Sequence, residues 1–139
     1  MKRYHLLEVG LAIGVILGAL GFQLLAQENL AKGTVLQRVD IAGSKGMEAV
    51  LVLRELPPGA ESGRHTQSGT EIVYIQDGSV NVEISGQPSK TLTAGQAFST
   101  TAGQVHNVKN ASTSAPAKAI AFYIAKKGMQ LEDLSKPAK

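Results

Sequence analysis

Of the three histidines in the 139 residues, His65 and His106 stand in glycine-punctuated stretches whose spacing suits metal ligation. The first runs Gly59, five residues, His65, one residue, Gln67, three residues, Glu71, six residues, Gly78. The second runs Gly95, seven residues, Gly103, two residues, His106, three residues, Asn110. Imidazole nitrogen is a good donor to first-row transition ions, and carboxylate or carboxamide oxygens are weaker partners for the same ions. A lone histidine would carry little weight, and the glycines alone say only that turns exist. The joint spacing is the signal. With no Cys in the chain, thiolate and disulfide chemistry are excluded. Asn110 is read as a residue that satisfies backbone groups beside a loop.

Together the two stretches resemble the two motifs of the cupin family. Cupins usually carry His-x-His followed by Glu in the first motif and one His in the second, converging on a divalent metal inside a small β-barrel. The resemblance therefore implies a ligand set of His65, Gln67, Glu71 and His106 around a divalent transition ion (Fe, Mn, Ni or Zn). Gln67 stands where the second His is usual. Thr101 stands where Pro is usual, a change that affects a turn and no ligand. The segment between the motifs, Ser79 to Ala94, is short, as in compact bacterial single-domain cupins. The zinc-dependent phosphomannose isomerases, another class of cupin-fold enzyme, use a Gln, two His and a Glu in a different arrangement. The resemblance covers roughly Thr34 to Ala125.

Strands must place those side chains. Residues two apart on a strand share a face, so His65 and Gln67 look the same way while Thr66 looks away. Alternation or Val/Leu enrichment predicts strands over Thr34–Asp40, Glu48–Leu56, Glu71–Gln76, Val80–Ile84, Lys90–Leu92, Ala97–Thr100, Val105–Lys109 and Lys118–Ala125. Pro57-Pro58-Gly59 breaks the chain, Asp77-Gly78 reads as a hairpin turn, and Asn110–Pro116 reads as a loop. No segment after residue 33 has a helical stripe. Many short strands indicate a sandwich or barrel, and the resemblance selects the double-stranded β-helix, the cupin jelly-roll barrel.

The expected organisation is a signal peptide or membrane anchor over residues 1–26, a cupin domain over 34–125 and a polar tail over 126–139. Met1-Lys2-Arg3 followed by an apolar run from Val9 to Phe22 resembles an export signal and predicts an N-terminal hydrophobic helix. Ala19-Leu20-Gly21 suits a cleavage site better than Leu24-Leu25-Ala26. Uncut, Val9 to Ala26 approaches the ~20 residues that span a bilayer. The expectation is an exported protein, periplasmic or extracellular, touching membrane only through that segment. The net charge of +3 is small and the basic residues are dispersed, which argues against nucleic acid. A homodimer covering Val50, Val52, Ile120 and Phe122 is expected of a small domain with few aromatics.

Two functions remain open on the sequence. One is a metal-dependent oxygenase or isomerase acting on a small oxygen-rich molecule, with Tyr74, Tyr123, Arg64 and Glu61 as nearby acid-base or anion-holding candidates. The other is a non-catalytic module that binds a small ligand or metal in a degenerate site. Phe98, Phe122 and Tyr123 are assigned to core or subunit packing, and Tyr74 to the outside of the barrel.

Overall fold

The structure, a computed structural model, describes residues 31–133. Ten strands make it up: β1 (Lys32–Asp40), β2 (Met47–Leu56), β3 (Thr66–Gln67), β4 (Thr70–Asp77), β5 (Ser79–Ile84), β6 (Lys90–Thr93), β7 (Ala97–Thr100), β8 (His106–Asn110), β9 (Ala117–Lys126) and β10 (Glu132–Asp133). The all-β expectation holds among the described residues, and the eight expected strands lie within two residues of the observed bounds. The short β3 and β10 carry no propensity signal of their own. They form a two-stranded ladder in which Glu132 pairs with Gln67, so the chain after β9 folds back onto the first motif.

A five-stranded antiparallel sheet, ordered β1-β2-β9-β4-β7, faces a three-stranded sheet ordered β6-β5-β8. The core lies between them. β2 supplies Val50, Val52 and Leu56, β4 supplies Val73 and Ile75, and β5 supplies Val80, Val82 and Ile84. β9 turns Ala117, Ala119, Ala121 and Tyr123 inward and leaves Phe122 exposed on the other face. The expected single dimer face therefore divides, because Val50 and Val52 are core residues. The outer face instead carries Phe122, Ile72 and Tyr74, 36%, 45% and 47% exposed.

The expected closed barrel is not formed. Among the described residues no continuous ladder joins the chain after β2 to the edge of β8: isolated bridges at Glu61–Lys109 and His65–His106, with bonds from Ser62 N–H to Val108 O and from Asn110 N–H to Ala60 O, tie them. Between those bridges the crossing chain spends four residues, Glu61 to His65, against three on β8, Lys109 to His106, so the register slips by one and no continuous ladder forms. On the other side the expected Asp77-Gly78 hairpin is a corner, because β4 and β5 belong to different sheets. Gly78 has φ of 77°, and a Cβ there would lie 3.0 Å from Ala117 and from the Pro116 carbonyl. The corner thus needs glycine both for its backbone angle and for the close approach of β9.

The expected membrane anchor is not found among the described residues. Among the described residues no helix occurs, and none is long and apolar enough to cross a membrane. The expected anchor or signal helix over residues 9–26, with the export reading that depends on it, lies outside the described residues.

Candidate functional site

The two histidines meet through their backbones. His65 and His106 exchange N–H···O bonds of 3.0 Å in both directions, which brings the rings together at a centroid distance of 4.2 Å. Each ring turns its Nδ1 to a carbonyl two residues earlier, Gly63 O at 2.8 Å for His65 and Gln104 O at 3.1 Å for His106. A carbonyl only accepts, so each Nδ1 is the protonated nitrogen and donates. In a neutral ring that leaves the Nε2 lone pair free for another partner, the arrangement that orients metal-binding histidines. His106 Nε2 lies 3.3 Å from Glu71 Oε2. That approach is attractive only with a proton or a cation between the two atoms.

All four residues singled out from the sequence are buried: His65 is 3% exposed, Gln67 3%, Glu71 4% and His106 2%. Their roles differ. His65, Glu71 and His106 line a small cavity of about 40 Å³ between the sheets, together with Arg54, Leu56, Val73 and Ala119. Gln67 is not on that wall. Its Nε2 donates to Thr100 Oγ1, and the Thr100 hydroxyl donates to Glu71 Oε2 at 3.3 Å. Its Oε1 is buried without a hydrogen-bond partner. Such an acceptor costs about 1–3 kcal/mol while it stays unsatisfied.

Burial pushes the Glu71 carboxyl up. Hydrogen bonds from His106 and Tyr123, and the positive charge of Arg54, outweigh burial and hold it below its ordinary value. The His65 ring is held below its ordinary value chiefly by burial, against the bond to Gly63 that favours the proton. The Tyr123 hydroxyl is pushed up strongly, first by burial and then by the Glu71 charge. The site therefore presents a carboxylate and a neutral His65 at pH 7.

Sequence reasoning missed Arg54; Tyr123 it named both as an acid-base or anion-holding candidate and as a packing residue. Arg54 shares parity on β2 with Val50, Val52 and Leu56, and so points inward. Its Nη2 donates to the Tyr123 hydroxyl at 2.7 Å, and that hydroxyl in turn bonds Glu71. Tyr123 thus belongs to the site as well as to the core. The parity signal was present in both strands, but Leu51 and Leu53 on β2 and Ile120 and Phe122 on β9 make the opposite faces equally apolar. The other candidates disperse. Tyr74 is on the outer face as expected, and exposed Arg64 reaches Ser85 at 3.4 Å and Glu83 at 4.0 Å. Glu61 accepts from Asn107 at 2.9 Å. Asn110 serves the backbone: its Nδ2 lies within 3.0 Å of the carbonyls of Leu56, Pro57 and Ala115.

The donor types suit a divalent transition ion: two imidazoles, a carboxylate and an orphaned carboxamide oxygen. Their arrangement is looser than a finished cage. Among the described residues, no group of three or more His, Asp or Glu is set in ready-made metal-holding geometry.

Comparisons with known proteins agree with this architecture. A family model described as a cupin domain matches residues 52–123, more than half of the chain. The structure is similar to a cupin domain from Bordetella pertussis tohama I, with 25% identity, a TM-score of 0.52, and coverage of 68% of this chain and 93% of that one. It is also similar to the DMSP lyase DddQ from Ruegeria pomeroyi DSS-3, at 19% identity and TM-score 0.59, covering 79% of this chain and 54% of that one. An oxalate oxidase gives 20% identity and TM-score 0.59, with coverage of 76% and 56% respectively. The chain spans about half the length of these two enzymes, and at such identity the likeness concerns the fold alone. No curated protein matches the sequence. With both motifs folded around one buried cavity and the family model spanning them, this chain belongs to the cupin family.

Proposed function

We propose that this protein is a non-catalytic cupin binding module, whose pocket takes a divalent transition ion weakly through His65, Glu71 and His106. The orphaned Gln67 oxygen lies off that wall and becomes a fourth donor when its side chain turns toward the cavity. The observation that carries the reading is the pair of Nδ1–H···O=C bonds, which direct both Nε2 atoms away from the backbone in a cavity that also holds Glu71. A bound ion would supply Lewis acidity and open coordination positions for a small oxygen ligand.

Binding is favoured over catalysis by what surrounds the ligands. A metal-dependent oxygenase or isomerase needs a proton donor or acceptor free to act near the ion. In this cavity Glu71 and both histidines are the ligands themselves, and Tyr123 is a poor acid engaged with Arg54 and Glu71. The acid-base candidates Glu61, Arg64 and Tyr74 are absent from the cavity wall. The oxalate oxidase and DMSP lyase that share the fold mark enzymatic use of similar frameworks, but supply no residue roles here.

Equilibrium dialysis of the protein against zinc, nickel, manganese and ferrous iron tests the reading. One ion per chain, released by chelator and lost in His65→Ala and His106→Ala with the β circular-dichroism spectrum retained, is the expected result. Full occupancy in either variant contradicts the ligand assignment. Chelator-sensitive turnover of a small carboxylic acid or carbonyl compound contradicts the non-catalytic part.

A further inference from the structure

We propose that a surface recess on the outer side of the five-stranded sheet binds an unbranched medium-chain carboxylate, independently of the metal pocket. The recess holds about 410 Å³ at the end of β9 and is walled by Met47, Ile124, Lys126 and Met129, with Ser68 and Thr70 beside them. Clefts of roughly 300–1,000 Å³ are the usual size of small-ligand sites. No residue lining the metal pocket borders it. Close backbone approach builds it. A Cβ at Gly69 would collide with the Ile124 carbonyl oxygen, so the turn between β3 and β4 lies tight against β9 and brings Ser68 and Thr70 to the recess. From the other side the chain turns back after β9, Lys127 N–H donating to Gly46 O at 2.8 Å and Met129 N–H to Lys126 O at 3.1 Å. Met47 and Met129, the two methionines of the described residues, thereby share one cleft, and their flexible thioether chains adapt to an apolar ligand.

Polarity at one end decides the ligand class. Lys126, Ile124, Phe122 and Ile120 alternate along β9 and share its outer face. On neighbouring β4, Thr70 pairs with Ile124, Ile72 with Phe122 and Tyr74 with Ile120. The recess therefore carries a cation and hydroxyls, and the same face continues from it as an apolar strip on which Ile72, Tyr74 and Phe122 are exposed. Such a strip marks an interaction surface. Lys118 and Lys127 are ion-paired with Glu55 and Asp40, whereas Lys126 has no carboxylate within 4.0 Å among the described residues. A flat protein partner would cover the strip and leave the recess empty. An alkyl carboxylate fills both, its head at Lys126 and its chain along the strip. From Ile124 to Ile120 the strand advances about 14 Å. An extended chain of about ten to twelve carbons covers that distance at ~1.2 Å per bond.

The test is calorimetric titration of the full-length protein, in chelator, with hexanoate, octanoate and decanoate below micelle formation, and with 1-octanol as the neutral counterpart of octanoate. Affinity is expected to rise about threefold for each added CH₂. Octanol is expected to bind about three- to fivefold more weakly than octanoate, and Lys126→Gln to lower decanoate affinity by the same factor, the worth of one exposed charge pair. Ile72→Thr keeps a β-branched side chain at an exposed position and is expected to cost about threefold or more in decanoate affinity with the β circular-dichroism spectrum retained. Affinity that does not rise with chain length, equal binding of octanol and octanoate, or decanoate binding undiminished in both variants overturns the assignment. So does a sedimentation mass of two chains in a protein that takes up no decanoate, which gives the strip to a second copy.

Discussion

At Gln67, hydrogen-bond accounting and coordination chemistry pull in opposite directions. The carboxamide nitrogen has Thr100, whereas its oxygen is buried with nothing to accept from. If folding stability alone mattered, an apolar side chain of the same length would serve as well or better. Gln67→Met is therefore expected to leave the metal-free protein as stable or up to ~1 kcal/mol more so, because the orphaned acceptor is removed and Thr100 keeps Glu71. The same change is expected to lower zinc affinity by about threefold or more, through loss of a donor. Thermal melts in chelator and a zinc titration check the two signs. A loss of stability with unchanged zinc affinity would show that Gln67 serves the fold and not the ion. The motif resemblance named His65, Glu71 and His106, which line one cavity, whereas the two-residue strand period pairs His65 with Gln67, which does not line it. Gln67's turn toward Thr100 depends on β7, a strand thirty residues away, and spacing within the motif carries no information about it.

Among the elements, β2 and β9 show why the rest was illegible. Both strands are apolar on both faces, so alternation gives no choice of inner side. The actual rule on β9 is size: alanines face in, leaving the room that becomes the cavity, while Ile120, Phe122 and Ile124 face out. A charged Arg54 facing inward contradicts the default that charges face water. The failure of the barrel to close and the recasting of Asp77-Gly78 as a corner are facts of pairing between distant strands, which local propensity does not encode. Where a side chain does fix a crossing, its effect is measurable. Asn110 closes the end of β8 by donating toward Leu56, Pro57 and Ala115 and accepting the Ser112 N–H at 2.9 Å. Asn110→Asp keeps the size and replaces the donor by a carboxylate facing those carbonyls, with an expected cost of ~2–3 kcal/mol in chemical denaturation. A change below ~0.5 kcal/mol would mean that the clamp is dispensable.

For the molecule as a whole, a buried polar site makes stability depend on pH in a definite direction. His65 is held below its ordinary 6.5, so the unfolded chain takes up its proton first; the contribution is full above 6.5 and is lost as pH falls toward the folded value. Glu71, held below its ordinary 4.5, adds stability above that pH that is lost as pH falls further. Melting temperature in chelator is expected to fall on acidification below about 6.5, and the first step to shrink in His65→Gln. A wild-type curve flat from pH 7 to 5 would contradict a buried neutral His65. The central claim is that two Nδ1-protonated histidines present their Nε2 atoms to one ion beside Glu71. It is tested most directly by long-range proton–nitrogen NMR of the histidine side chains, recorded at neutral pH before and after one equivalent of zinc. The expected spectrum has both Nδ1 atoms of His65 and His106 protonated throughout, with both Nε2 resonances moving together on zinc addition. A proton on His65 Nε2 in the metal-free protein, or zinc leaving either Nε2 unmoved, would contradict it.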